Sequence, residues 1–255
     1  MRRLAAALFI ALLATACNAE PPAEAPPANQ AQSDSRPAEA NAAAQSAQQE
    51  PTRVAQAPTP PPQTDARFVA GQHYRVLNPA QPTNVAPGKV EVAEIFWYGC
   101  PHCYTLEPYM RNWKANKPEA AEFVQMPAAL NPGWQPHARL FYAAKALGVF
   151  EQAHDAIFRE IHVNRKPLNT VDSMVELLGR FEVPADQARD TLTSFAVEAE
   201  VRKADTQVRR YRLTGVPAVV VNGKYVAGAD TAGGYEQLLA LINHLVALES
   251  SAPVQ

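Results

Sequence analysis

The sequence contains few cysteines, only three among its 255 residues. Two of them, Cys100 and Cys103, form a C-x-x-C pair, and the chain has no second such pair and no histidine pair at ligand spacing. A structural zinc site ordinarily needs four protein ligands, so metal binding is disfavoured. A purely structural disulfide across this pair would stabilise little, because it closes a very short loop. These absences favour a redox function for the pair.

An excess of charge of one sign is also lacking. The chain carries 23 basic and 25 acidic residues, and residues 67–255 carry 19 of each sign. A formally neutral domain without a basic stripe is not expected to bind nucleic acid. Beyond the N-terminal region, no apolar run is long enough to cross a bilayer. The length allows one folded domain, and we find no internal repeat at the periods of solenoid proteins.

Residues 18–66 lack Leu, Ile, Met and every aromatic residue, and Val54 is their only larger aliphatic side chain. Pro, Ala, Gln and Glu recur throughout this stretch instead. Such a composition cannot build a hydrophobic core. Because its prolines are clustered, we predict a disordered tether that is extended and partly polyproline-like.

The N-terminus has the pattern of a secretory signal peptide, predicted over residues 1–17. Arg2 and Arg3 precede an apolar run from Leu4 to Ala14, which has the length of a signal-peptide core and is too short to span a bilayer. The chain is therefore expected to be exported, and we predict a periplasmic location.

Cys17 allows two processing routes. The segment LATAC, from Leu13 to Cys17, resembles a bacterial lipobox, in which Cys17 would be lipidated. The alternative is ordinary cleavage after Ala16. We favour lipidation of Cys17, because an unmodified cysteine at the mature terminus would be a lone exposed thiol in an oxidising compartment. The tether would then hold the domain away from the membrane, and the anchor would be its one membrane contact.

The periodicity around the cysteine pair predicts a βαβ unit. The segment KVEVAEIFWY, Lys89 to Tyr98, has the apolar content of a buried strand. The following CYTLEPYMRNW places four apolar side chains on one helical face, and AEFVQMPA predicts a second strand ending at Pro127. The cysteine pair thus lies at a junction between strand and helix.

The rest of the chain predicts a helical block and then a hairpin. Residues 136–213 have helical periodicity almost throughout. In PAVVVNGKYVAG, Asn222 and Gly223 are expected to form the turn of a β-hairpin. An amphipathic helix is predicted from Gly233 to about Ser250. The predicted order is therefore βαβ, helical block, ββα.

Taken together, these features resemble the DsbA family of the thioredoxin superfamily. The resemblance is carried by Cys-Pro-His-Cys at the strand-to-helix junction, by TGVPAVVVNGKYV and by the intervening helical block, and it extends from Phe68 to Leu245. It implies an α/β thioredoxin fold with an inserted helical domain. We therefore expect one domain over residues 67–250, with the insertion at about 136–213 and a tail at 251–255.

The chemistry of the pair follows from its position at a helix start. Thiol–disulfide exchange requires a thiolate, and the free N–H groups and dipole of a helix N-terminus stabilise one. Cys100 is therefore expected to be the exposed sulfur that attacks or is attacked, with a lowered pKa, and Cys103 the sulfur that resolves the mixed disulfide. Pro101 suits the first helical turn, and a protonated His102 would place positive charge beside the thiolate. In the family this Pro-His dipeptide accompanies strongly oxidising behaviour.

The resemblance implies roles for three further residues. Glu94, on the strand that leads to the pair, matches a buried acid that exchanges a proton with the resolving thiol. In familiar members of the family a lysine on the next strand pairs with this acid, and EFVQMPA contains none. Pro217 matches a cis-proline opposite the C-x-x-C, which leaves the backbone of Val216 free to bind an extended substrate.

These features together predict a periplasmic thiol:disulfide oxidoreductase that donates its Cys100–Cys103 disulfide to exported proteins. The disulfide would be its only cofactor, a quinone-linked membrane oxidase of the DsbB type would restore it, and the protein would be a monomer. One alternative is a reductase or isomerase of the same superfamily, because sequence does not fix the redox potential. Another is a module that delivers copper or zinc through the C-x-x-C.

Overall fold

The computed structural model describes residues 67–251. The predicted signal peptide, Cys17, the tether and residues 252–255 lie outside this range. Within it, no helix is both long and apolar enough to span a bilayer.

The described residues contain a five-stranded sheet in the spatial order β1-β5-β4-β2-β3. Its strands are β1 Tyr74–Val76, β2 Val90–Phe96, β3 Ala121–Pro127, β4 Ala218–Val221 and β5 Tyr225–Ala227. The pair β2 and β3 is parallel, and the other neighbours are antiparallel. The short edge strand β1 was not predicted from the sequence, because three residues offer too little periodicity.

Helices cover both faces of this sheet. They are α1 Pro101–Asn116, α2 Gln135–Ala146, α3 Phe150–His162, α4 Val171–Gly179, α5 Ala185–Leu192, α6 Phe195–Arg210, α7 Ala229–Ala232 and α8 Tyr235–Ser250, with a 3-10 turn at Pro132–Trp134. The order βαβ, helical block, ββα is the predicted one. Helix α1 continues through Pro108 to Asn116.

The central strand β2 has no exposed residue, because it is paired on both sides and covered on both faces. Its even-numbered residues Val90 and Val92 face the core formed with α1 and α8, whereas Ala93 and Ile95 face the core formed with α6. By this alternation, Glu94 points to the side of α1. A separate core fills the helical block between β3 and β4.

The hairpin turn was predicted correctly. Asn222 and Gly223 have φ values of 51° and 60° between β4 and β5. A Cβ atom on Gly223 would lie 2.0 Å from the carbonyl oxygen of Gln81, so glycine is required there both for its conformation and for space. The turn sets the register of β4 against β5, and the separate pairing of β4 with β2 places the segment that precedes β4 beside the cysteine pair.

Candidate active site at the Cys100–Cys103 pair

Cys100 is the residue that caps the N-terminus of α1, with extended backbone angles. Its N–H donates to the carbonyl oxygen of Trp97 at 2.9 Å, and its own carbonyl accepts the N–H of Tyr104 at 3.1 Å. Pro101 occupies the first helical turn. A backbone N–H at this position would have no acceptor within the helix, so the absence of an N–H from proline costs no hydrogen bond. The chain thus leaves β2 and places the Cys100 side chain directly before the free N–H groups of the helix.

These surroundings lower the pKa of the Cys100 thiol to about 6. The largest cause is a hydrogen bond from the Cys103 side chain, which outweighs the opposing effect of burial. Backbone N–H groups of Cys103 and His102 lower the pKa further, and the charge of His102 adds a smaller effect. The lowered pKa agrees with the prediction, although the neighbouring thiol contributes more than His102 does.

Cys103 has the opposite character. It is completely buried on the apolar face of α1, and burial is the main reason that the pKa of its thiol is raised. The hydrogen bond to Cys100 and the negative charge of Glu94 raise this pKa as well. The site therefore holds one sulfur that ionises readily and one that strongly retains its proton.

The peptide bond between Val216 and Pro217 is cis, as the resemblance implied. The Cys100 thiol donates to the carbonyl oxygen of Val216 at 3.5 Å, so this segment lies directly against the Cys100 sulfur. One expectation was wrong here: Cys100 is only 8% exposed rather than open to solvent. The segment at Val216 covers it, a tertiary contact that helix position alone does not reveal.

A cavity of about 750 Å³ opens beside the pair. Exposed His102 borders it, together with Val216, Pro217 and the aromatic rings of Tyr74 and Tyr235. This volume lies within the usual range of about 300–1,000 Å³ for binding pockets. The cavity therefore offers both apolar surface and backbone groups next to the segment that contacts Cys100.

Glu94 is completely buried behind the pair. Its Oε2 accepts a hydrogen bond of 3.1 Å from Nε2 of Gln125, its cross-strand neighbour on β3, whereas Oε1 has no hydrogen-bond partner among residues 67–251. Burial, aided by the nearby Glu107 charge, raises the pKa of the Glu94 carboxyl well above its usual value. Gln125 thus occupies the β3 position facing Glu94, where the sequence offered no lysine.

Three residues that sequence reasoning missed, Gln125, His154 and Glu107, form a cluster with Glu94 behind the cysteine pair. His154, on α3, has Nδ1 2.7 Å from the Tyr98 hydroxyl and Nε2 3.0 Å from Nε2 of Gln125. The same Nε2 lies 3.2 Å from Oε2 of Glu107, on α1. Glu107 could have been noticed, because it stands four residues after Cys103 and hence on the same buried helical face.

No group of three or more His, Cys, Asp or Glu side chains within residues 67–251 is arranged to hold a metal ion. The site instead combines a C-x-x-C at a helix N-terminus with a cis-proline across from it, on a sheet of βαβ and ββα units. This combination defines a thiol:disulfide oxidoreductase with a thioredoxin fold.

A family model described as a DSBA-like thioredoxin domain matches residues 133–240. The chain is 38% identical over 185 residues to the thiol:disulfide interchange protein DsbA of Pseudomonas aeruginosa, covering 72% of this chain and 87% of that protein, and it therefore belongs to the DsbA family.

Solved structures agree with this assignment. The crystal structure of DsbA from Pseudomonas aeruginosa superposes with a TM-score of 0.68 at 38% identity, covering 72% of this chain and 95% of that one. The oxidoreductase DsbA from Xylella fastidiosa gives a TM-score of 0.68 at 30% identity, covering 72% and 99%. The predicted α/β thioredoxin fold with an inserted helical domain is thereby confirmed.

Proposed function

We propose that this protein oxidises newly exported proteins in the periplasm by donating its Cys100–Cys103 disulfide to their cysteine pairs. The opposite pKa shifts of the two thiols carry this proposal. An oxidant must be stabilised when it is reduced, and an easily ionised Cys100 stabilises the reduced form.

The exchange has two steps. A client thiolate attacks Sγ of Cys100, the bond between Cys100 and Cys103 breaks, and Cys103 leaves with the electron pair and takes up a proton. A second client thiolate then attacks the client sulfur of the mixed disulfide and releases Cys100 as a thiolate. The client gains a disulfide, and the protein takes up two electrons.

Client binding is assigned to the segment of Val216 and Pro217. The carbonyl of Val216 lies 3.5 Å from the Cys100 sulfur, and the cavity extends from this segment past His102. A client in extended conformation would pair with this backbone, so recognition would tolerate many sequences.

The remaining assignments concern regeneration and location. The reduced dithiol must be reoxidised before another turnover, and the family points to a quinone-linked membrane oxidase of the DsbB type. Lipidation of Cys17 would anchor the protein, with residues 18–66 as the tether. We propose that it acts as a monomer.

Equilibration with glutathione buffers tests the direction of transfer. We expect a reduction potential nearer to the strongly oxidising value of about −120 mV than to the reducing value of about −270 mV, two extremes of this superfamily. A potential near the reducing extreme would contradict the proposal and assign the protein as a reductase. The measurement requires no client and no membrane partner.

A further inference from the structure

Gln125 contacts two titratable side chains through a single atom. Its Nε2 lies 3.1 Å from Oε2 of Glu94 and 3.0 Å from Nε2 of His154. Glu94, His154 and the neighbouring Glu107 are all buried. Gln125 itself is half-buried, and the contact joins β2, β3 and α3.

The chemistry of a carboxamide restricts what these two neighbours can do. If the NH₂ group of Gln125 faces them, both must accept a hydrogen bond, which suits an ionised Glu94 and a bare nitrogen on His154. If the amide turns over and its oxygen takes the same place, both must donate. An ionised Glu94 beside a hydrogen-bearing Nε2 would leave one of the two facing a like group of the amide, with the loss of a hydrogen bond.

We propose that Gln125 couples these two side chains, so that Nε2 of His154 carries a hydrogen when the Glu94 carboxyl is protonated and loses it when that carboxyl ionises. His154 is thus a positioning residue, which acts on Glu94 through Gln125.

Glu107 provides the place for the hydrogen that leaves His154. In the first state Glu94 is neutral, and Nε2 of an imidazolium lies 3.2 Å from Oε2 of the Glu107 carboxylate, an oxygen that has no hydrogen-bond partner among residues 67–251. In the second state Glu94 is the carboxylate, and the proton has moved from Nε2 to Oε2 of Glu107. The two buried carboxylates are therefore never charged together, which avoids the repulsion that each would exert on the other.

The other groups around the cluster are compatible with both states. The Tyr98 hydroxyl can accept the hydrogen of Nδ1 in either state, and its pKa is raised well above the usual value by burial, so it remains protonated. The titratable and charged groups facing the cluster are Glu94, Tyr98, Cys103, Glu107 and, at the surface side of α3, Asp155, which pairs with Arg111.

The coupling between Glu94 and His154 does not depend on the proposed function. Its use in disulfide exchange does rest on that function. When Cys103 leaves as a thiolate, Glu94 can transfer its proton to that sulfur. Gln125 then turns its NH₂ group toward the new carboxylate, and the proton on Nε2 of His154 moves to Glu107. The proton count is unchanged, and one negative charge has moved from the sulfur to a hydrogen-bonded carboxylate.

The test is a pH titration of the reduced full-length protein by NMR, with ¹⁵N-labelled histidine and ¹³C-labelled glutamate. Nε2 of His154 should change from a hydrogen-bearing to a bare nitrogen with the same midpoint at which the Glu94 carboxyl ionises. An Nε2 signal that stays constant while Glu94 ionises, or that changes at a separate midpoint, would overturn the proposal. This measurement on the unmodified protein stands whatever the variants do, and it is independent of the direction of electron transfer.

The variant Gln125→Leu tests the amide directly. It removes the shared contact, so Glu94 should ionise without a matching change at Nε2 of His154. The matched control is Gln207→Leu, because Gln207 is a buried amide that donates to the carbonyl of Pro82 and does not contact Glu94 or His154. The control should keep the common midpoint. A common midpoint retained in Gln125→Leu would show that the amide is not the coupling element.

Discussion

The thiol of Cys100 lies 3.5 Å from the carbonyl oxygen of Val216, although 116 residues separate them along the chain. The helical block accounts for most of this separation, and the antiparallel pairing of β4 with β2 closes it. The position of the redox sulfur is therefore set by the sheet, while the surface that a client would contact is set by the loop before β4. Under the proposed function, exchange chemistry and client recognition would therefore take place at adjacent groups.

Replacement of each cysteine by serine should give different products, because the two sulfurs have different proposed roles. Cys100→Ser removes the sulfur that forms the mixed disulfide with the client and should abolish exchange. Cys103→Ser keeps the nucleophile without a resolving thiol, so mixed disulfides with clients should accumulate on non-reducing gels. Trapping by Cys100→Ser instead would reverse the assignment of the two roles.

The low pKa of the Cys100 thiol should depend more on Cys103 than on His102. The hydrogen bond from Cys103 is its largest cause, and the His102 charge is the smallest of those identified. Cys103→Ala should therefore raise the pKa from about 6 toward the free-thiol value of about 8.5, and His102→Gln should raise it less. Alkylation rates across pH measure both variants. A larger effect from His102→Gln would show that charge, rather than the paired thiol, stabilises the thiolate.

The sequence revealed the parts of the site that depend on local structure. Cys100 at a helix start and the turn at Asn222 and Gly223 follow from short-range periodicity and turn chemistry. Both features involve contacts within a few residues, so neither required knowledge of the tertiary arrangement.

The buried cluster behind the pair could not be found in this way. His154 reaches Gln125 only because α3 of the helical block packs over α1, and the two residues lie 29 positions apart in sequence. A histidine on an amphipathic helix looks the same whether it faces a core or another polar group. Glu107 carried a weak signal through its spacing from Cys103, whereas the contact with His154 depends wholly on packing.

Glu94→Gln should stabilise the protein at neutral pH. Burial raises the pKa of Glu94, so the folded protein holds this proton more tightly than the unfolded chain does. Stability contributed by the carboxyl is therefore lost as pH rises above its unfolded pKa of about 4.3. Removing the charge should add about 1–3 kcal/mol to the free energy of unfolding at pH 7, with a smaller gain at pH 4.

The control for this measurement is Glu122→Gln on β3, because Glu122 is exposed. It should change the free energy of unfolding by no more than about 0.5 kcal/mol. Urea unfolding at both pH values measures the two variants. A destabilised Glu94→Gln protein at pH 7 would mean that the carboxylate is compensated in the folded state.

Cys17→Ala should release the protein from membranes if Cys17 is lipidated, since acylation requires its thiol. Fractionation of cells that express each form gives the distribution between membrane and soluble periplasm. If wild type and variant are equally soluble, cleavage after Ala16 is the correct processing route. The exchange activity of the released domain should be unchanged, because the redox pair lies in residues 67–251.

Reduced protein should be more stable than oxidised protein near pH 7. The pKa of Cys100 is about 6 in the folded reduced form and about 8.5 in an unfolded chain, so ionisation favours the folded reduced state. This contribution is fully present above about pH 8.5, amounts to about 1 kcal/mol at pH 7, and is lost as pH falls through about 6. Cys103 adds nothing below about pH 8.5, because its thiol keeps its proton in both the folded and the unfolded chain.

The oxidised form gains little in compensation, because its disulfide closes only a very short loop. Urea unfolding of both redox forms between pH 4 and pH 8 should therefore show a difference that is largest at pH 8 and disappears on acidification. The variant His102→Gln should narrow the difference slightly at pH 7, in proportion to its smaller effect on the Cys100 pKa. An oxidised form that is more stable than the reduced form at pH 7 would contradict the assignment as a disulfide donor, since such a disulfide would have no tendency to pass to a client.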